Sequence, residues 1–89
     1  MSIVTTTQFS RDVKRLKKKH WPIEKLNRIV GKLAAGETLP PSCHDHALSG
    51  NHSGKRECHI DPNWLLVYRI DGNRVVLVLM RTGTHDEVL

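Results

Sequence analysis

Cysteine, aromatic residues and long apolar runs are scarce in this 89-residue chain, which contains two Cys, two Trp, one Tyr and one Phe. A disulfide-stabilised mini-domain normally carries about four cysteines or more, so we expect Cys43 and Cys58 to be free thiols. No segment approaches the roughly 20 apolar residues of a bilayer span, and residues 1–8 do not begin a secretory signal. We therefore expect a cytoplasmic protein that does not associate with membranes.

Acidic residues are also few. The chain has 9 Asp and Glu against 14 Lys and Arg, which gives a formal net charge of +5 and a pI near 9.6. Such an excess of positive charge on a short chain favours anionic partners, first among them nucleic acid or an acidic protein. The hydrophobic share of 38% is too high for a disordered chain. The length allows one domain, which we assign to residues 1–89.

The first part of the chain predicts a strand followed by a helical hairpin. Residues 2–6 are rich in β-branched side chains, as a short strand would be. Apolar side chains then recur at helical spacing in two segments, 9–20 and 22–36, with Thr6 or Thr7 available to cap the first helix. The first helix is strongly basic. Asp12 is its sole acid, and its cationic surface is interpreted either as a solvated face or as a phosphate-facing surface that includes Lys17 and Lys18.

The second part of the chain indicates a sheet after a connecting loop at 37–46. The predicted strands cover residues 47–49, 55–60, 64–70 and 75–80, with a turn at 71–73. The predicted order is therefore β-α-α-β-β-β-β. We expect an α+β fold in which two N-terminal helices pack on a small, mainly antiparallel sheet of four to five strands.

Histidine is abundant, with six residues in the chain. Neutral and charged imidazoles coexist near neutral pH, so a pair of histidines can act as base and acid in RNA cleavage without a metal. Arginine can hold the phosphate charge, and Arg56, Arg69 and Arg81 are all candidates. Composition does not choose among them.

Zinc binding is the competing interpretation of the histidines, because two of them stand next to cysteines. The possible ligands are Cys43, His44, His46, Cys58 and His59. Their spacing matches none of the usual zinc motifs, and adjacent residues of a strand point to opposite faces of the sheet. We therefore assign no metal ligand and expect no cofactor, with Cys58 in the core and Cys43 in an exposed loop.

Three segments of the second part together resemble a known family. They are HALSG at 46–50, RECHIDPNWLLVY at 56–68 and RTGTH at 81–85. In combination they resemble the YafQ branch of the RelE/ParE superfamily, the RelE-type toxins of bacterial type II toxin–antitoxin systems. The predicted strand and helical hairpin fit the element order of that family, so the likeness extends over nearly the whole chain.

The resemblance implies a toxin that is a ribosome-dependent endoribonuclease, an mRNA interferase that inhibits translation. It implies catalytic roles for His46, His59, His85 and Arg81. Further RNA contacts are expected from a set of cationic side chains: Lys17, Lys18, Lys55, Arg56 and Arg69. The implied partners are messenger RNA, the ribosome and a cognate acidic antitoxin, whose complex with the toxin would bind operator DNA.

This sequence departs from the pattern of that family at three positions. Asn63 stands where the family has an acid, so either the histidines suffice or Asp61 substitutes from the same strand face. His52 and Leu89 replace aromatic residues, which would weaken stacking on a messenger base. These departures leave an alternative open: a catalytically weak or inactive member that acts by binding, as a DNA gyrase inhibitor or as an antitoxin-bound DNA-binding partner.

Overall fold

The computed structural model describes residues 1–73 and 75–89. Within them the chain forms a mixed α and β structure with short 3₁₀ turns at Pro41–Cys43 and Gly50–His52. The strands and helices, in chain order, are β1 (Ser2–Thr5), α1 (Thr7–Lys18), α2 (Ile23–Ala34), β2 (His46–Ala47), β3 (Arg56–Asp61), β4 (Trp64–Asp71), β5 (Val76–Gly83) and α3 (His85–Val88). None of the described helices has the length and apolar character of a membrane span.

The strands form one five-stranded sheet in the order β1-β5-β4-β3-β2. β1 runs parallel to β5, and the other neighbouring pairs are antiparallel. This arrangement confirms the predicted α+β class and the mainly antiparallel sheet. The parallel pairing joins the first strand of the chain to the last and places β5 beside both β1 and β4.

The two faces of the sheet are covered differently. On the helix face, defined as the side that carries α1 and α2, the helices pack against β3, β4 and β5 to form the main core. Its central members include Leu16, Leu26, Trp64 and Leu66. On the opposite side, here called the open face, α3 buries Val88 in a smaller cluster. The open face therefore leaves polar side chains of the sheet accessible.

The entry into α1 ties that helix to β5. The Thr6 hydroxyl accepts a hydrogen bond from the Phe9 amide at 3.0 Å, which confirms Thr6 as the N-cap. The same hydroxyl donates to the Met80 carbonyl at 2.9 Å. The register of β4 and β5 shifts at this point, between Val67 and Tyr68, where Met80 is the extra residue of a β-bulge.

Three details differ from the sequence expectations. The residues after β5 were not expected to be helical, yet Thr84 and Glu87 form a capping box that starts α3. The short second strand begins at His46, earlier than residue 47, because it pairs with Glu57 in β3. Cys43 lies in the core and not in an exposed loop. Both cysteines are free thiols, as expected.

Candidate active site on the open face of the sheet

One row of cross-strand neighbours carries two of the predicted site residues on the open face. His46 of β2 stands opposite Glu57 of β3, Glu57 opposite Val67 of β4, and Val67 opposite Arg81 of β5. Side chains of directly opposed residues point to the same side of a sheet. The sheet therefore carries a histidine near one end of this row and an arginine at the other.

The next row supplies the remaining two predicted histidines. His59 of β3 is opposite Leu65 of β4, which is opposite Gly83 of β5, and α3 begins two residues later at His85. His59 and His85 line a single cleft of about 240 Å³ together with Asn63. The side chain of His85 is 73% exposed, so a ligand can reach it. The fold thus places two imidazoles around one accessible cavity.

Arg81 is fixed by a carboxylate that the sequence analysis did not select. Arg81 Nε donates to Asp12 Oδ2 at 2.8 Å, and Arg81 Nη2 donates to Asp12 Oδ1 at 3.2 Å. Asp12 also accepts from Arg15 Nη1 at 2.8 Å, from the Thr82 amide at 3.1 Å and from Gln8 Nε2 at 3.3 Å. Its side chain has no exposed surface.

The donors around Asp12 decide its charge. Burial opposes ionisation, but hydrogen bonds from Arg81, Arg15, the Thr82 amide and Gln8 outweigh it and hold the pKa of Asp12 below its usual range. The same carboxylate raises the pKa of Arg81. Arg81 is therefore a permanent cation whose orientation is set from α1.

A second contact from α1 fixes the helix that carries His85. Arg15 Nε lies 3.0 Å from Glu87 Oε2, and Glu87 Oε1 accepts a hydrogen bond from the Thr84 amide at 2.8 Å. The bond from the Thr84 backbone, aided by the charges of Arg15 and Lys19, lowers the pKa of Glu87. Arg15 thus links Asp12, which holds Arg81, to α3, which begins with His85.

His46 is restrained at both ring nitrogens. Nδ1 lies 2.7 Å from the His44 carbonyl oxygen, and Nε2 lies 3.7 Å from Glu57 Oε1. A carbonyl can only accept, so Nδ1 carries a proton. Nε2 then faces a carboxylate that is itself buried, with its other oxygen unpaired among the described residues. His46 therefore has a carbonyl oxygen beside one ring nitrogen and a buried carboxylate near the other.

Of the five proposed RNA contacts, Lys55 lines a cleft on the open face. The other four do not line the clefts that contain the histidines and Arg81. Arg56 turns to the helix side, where it contacts Asp45 and the Tyr68 hydroxyl. Arg69 makes an ion pair with Asp71, with Nη2 and Oδ2 2.9 Å apart. Lys17 and Lys18 are exposed at the end of α1, in the helix layer.

Asp61 is not placed as expected for a substitute acid. A turn at residues 62–63 separates Asp61, the last residue of β3, from Asn63, so the two do not share one regular strand face. The Asp61 carboxylate accepts two hydrogen bonds of 3.1 Å from Lys25. Asn63 is the residue that lines the cleft with His59 and His85.

Three residues near the site were missed by the sequence analysis. Asp12 could have been found from its position as the sole acid in a basic helix. Glu57 precedes Cys58 and His59 in the recognised segment and alternates onto the same face as His59. His44, whose ring centroid lies 5.6 Å from that of His59, was considered only as a possible zinc ligand. Residues 1–73 and 75–89 contain no group of three His, Cys, Asp or Glu side chains arranged to hold a metal ion.

A family model and a curated relative identify the same family. A family model described as the YafQ bacterial toxin of type II toxin–antitoxin systems matches residues 1–89. The mRNA interferase toxin YafQ of Escherichia coli K12 is 39% identical over 80 residues, which cover 88% of this chain and 84% of that protein.

Solved structures agree with the sequence match. A metal-bound toxin from Helicobacter pylori has a TM-score of 0.92 and 38% identity, covering 100% of this chain and 99% of that one. YafQ in the E. coli DinJ–YafQ toxin–antitoxin complex has a TM-score of 0.88 and 34% identity, covering 99% of this chain and 96% of that one. The chain with the Asp12–Arg81 pair and the His59–His85 cleft therefore belongs to the YafQ family of type II toxin–antitoxin toxins.

Proposed function

We propose that this toxin is an mRNA interferase, an RNA hydrolase that cuts messenger RNA on the ribosome by metal-free acid–base catalysis. The observation that carries the proposal is the shared cleft of His59 and His85, with the immobilised cation Arg81 on the neighbouring row of the sheet. The identity to an E. coli protein named as an mRNA interferase toxin supports the same activity.

The reaction needs one base and one acid. We assign the base to His59, which removes the proton of the ribose 2′-hydroxyl, so that the 2′-oxygen forms a bond to the adjacent phosphorus. The bond from phosphorus to the 5′-oxygen then breaks, and His85 gives that oxygen a proton. The products are a 2′,3′-cyclic phosphate, which can open to a 3′-phosphate, and a free 5′-hydroxyl. The reaction as written consumes no oxidant, reductant or cofactor.

The cations stabilise the charge that develops on the phosphate. Arg81 is held by Asp12 and does not have to reorganise when the pentavalent phosphate forms, which is the condition for effective electrostatic stabilisation. His46 is assigned the same electrostatic role, because its Nδ1 already donates to a carbonyl and its Nε2 faces Glu57. Of the two histidines considered as the base, His59 is therefore preferred.

The partners follow from the charge of the toxin and from its family. An acidic antitoxin is electrostatically complementary to a cationic toxin and can inhibit it by binding. The DinJ–YafQ complex is a toxin–antitoxin pair of this family. We extend this to a cognate acidic antitoxin for the present chain, to operator DNA as a ligand of the joint complex, and to the ribosome as the site of action. Because these proposed partners are cytoplasmic, the proposal includes a cytoplasmic location.

The decisive experiment is induction of the wild type and of His85→Ala, followed by mapping of transcript ends on ribosome-bound messenger. The wild type should arrest growth and produce cuts within A-site codons, and the variant should produce neither while its circular dichroism spectrum is unchanged. His20→Asn, at an exposed position with φ of 62°, is a matched control that should cut normally. Undiminished cutting by the His85 variant would refute the assignment of the acid. Growth arrest with inhibited supercoiling and no cuts would establish the gyrase alternative.

A further inference from the structure

A second cleft of about 300 Å³ lies beside the first on the open face. Arg81, Lys55 and His52 supply its basic side chains, and Val67 and Val88 are part of its apolar wall. Val67 stands two residues from Leu65, which lines the His59–His85 cleft. Side chains two apart on a strand share a face and are separated by about 7 Å, so the two clefts are neighbours.

The second cleft is lined by three basic side chains and no acidic one. The Asp12 carboxylate accepts hydrogen bonds from Nε and Nη2 of Arg81. Among residues 1–73 and 75–89, none accepts a hydrogen bond from Arg81 Nη1. His52 Nδ1 is buried and has no hydrogen-bond partner among the same residues. A buried polar nitrogen without a partner is costly, and a ligand that bonds to it removes that cost.

We propose that Lys55 and His52, which line this cleft beside Arg81, form a subsite for the phosphodiester next to the one that is cut, while Arg81 holds the phosphate that is cut. The inference rests on the proposed function, because it takes the His59–His85 cleft as the place of cleavage. An RNA strand that crosses the open face from the first cleft to the second would pass Arg81, which lines the second cleft. Lys55 would meet the anionic oxygens of the neighbouring phosphate, and His52 Nδ1 would hydrogen-bond to the same backbone.

The proposed subsite assigns a function to His52, which stands where the family has an aromatic residue. A polar ring that binds the backbone replaces an aromatic ring that could stack on a base, so substrate contact moves from the base to the phosphate. Backbone contacts carry no sequence information, whereas they add affinity that depends on salt. We therefore expect this toxin to hold its messenger mainly through charge at this position.

The test measures binding of a short single-stranded RNA to toxin that carries His85→Ala, so that the RNA stays intact. One version of the RNA has a neutral methylphosphonate at the linkage next to the intended cut. This RNA should bind roughly fivefold more weakly than the unmodified RNA, on the scale of one charge-assisted contact. Adding Lys55→Ala should abolish the difference and reduce the slope of log affinity against log salt by about 0.7.

Two further variants sharpen the experiment. Lys32→Ala removes the same charge from α2 on the helix side, and it should keep the discrimination between the two RNAs. His52→Leu removes Nδ1 without adding a ring that could stack on a base, and it should weaken binding of both RNAs. Circular dichroism checks that each variant is folded.

The outcomes separate this proposal from the proposed function. Discrimination that persists in the Lys55 variant, or an unchanged salt slope, overturns the subsite even if the wild type cuts messenger. A Lys55 variant that weakens binding of the antitoxin but not of RNA also overturns it, because the cleft would then be a protein contact. Undiminished cutting by His85→Ala refutes the proposed catalytic assignment, and the binding assay, which needs no cleavage, still gives its own answer.

Discussion

Replacing Asp12 by Asn should destabilise the fold strongly although it changes the size of the side chain little. The wild-type carboxylate accepts hydrogen bonds from two arginines, one backbone amide and one side-chain amide. An Asn side chain has an NH₂ group where one of the carboxylate oxygens stood, and this group would face the N–H groups of Arg81 or Arg15. The substitution removes the negative charge and leaves two cations near each other.

The expected loss is about 3 kcal/mol in the free energy of unfolding at pH 7, the lower end of the range for breaking a buried ion pair. The lower end applies because the side chains of Arg15 and Arg81 are 31% and 30% exposed, so water compensates part of their charge. For a domain of this length such a loss lowers Tm by roughly 12 to 24 °C.

Urea unfolding of the wild type and of Asp12→Asn between pH 7 and pH 2 measures the effect. The folded-state pKa of Asp12 is depressed, so its contribution to stability is present above the unfolded-state value and is lost as the pH falls through the folded-state value. The difference in the free energy of unfolding between the wild type and Asp12→Asn should therefore become smaller at low pH. Asp71→Asn is the matched control, since it breaks an exposed Arg–Asp pair that should contribute less than about 1 kcal/mol.

Two results would refute the account of Asp12 as an ionised anchor. The unfolding free energies of the wild type and Asp12→Asn could differ by less than about 1 kcal/mol at pH 7, or their difference could stay constant from pH 7 to pH 2. A control variant that is destabilised as much as Asp12→Asn would do the same, because exposed and buried pairs would then be equivalent.

Two other outcomes follow from the structure. Glu87→Ala removes both the cap of α3 and the Arg15 contact, so it should lower stability by about 1 kcal/mol and speed hydrogen exchange of the α3 amides, whereas exposed Asp86→Ala should not. Burial raises the pKa of the Cys58 thiol to about 12, so iodoacetamide at pH 8 should leave Cys58 unmodified in the native protein and alkylate it in urea, as mass spectrometry would detect. Rapid alkylation of the native protein would contradict this burial.

The sequence predicted the regular elements where their periodicity is long enough to be seen. Residues 9–20 and 22–36 have the helical spacing that became α1 and α2, and the apolar run at 64–70 became β4. Four residues are too few to show a helical period, so α3 was missed, although Thr84 and Glu87 carry the spacing of a capping box. The parallel pairing of β1 with β5 depends on packing between distant segments, which local patterns do not contain.

The sequence predicted which residues line the site better than it predicted how those residues are arranged. The family resemblance selected His59 and His85, and the structure brings them to one cleft. It could not indicate that Arg81 is held by a carboxylate 69 positions earlier in the chain. Arg56 fits the composition of a phosphate contact equally well, yet alternation along β3 turns it to the helix side.

The parallel contact between β1 and β5 also bears on when the toxin becomes active during its own synthesis. β1 and α1 are made first, but their partners on β5 and α3 are made last. Until those residues have been added, Asp12 has no Arg81 to hold and the cleft has no His85. A growing chain therefore cannot complete the cleft, and under the proposed function it should not cut messenger RNA until residues 76–89 have been translated.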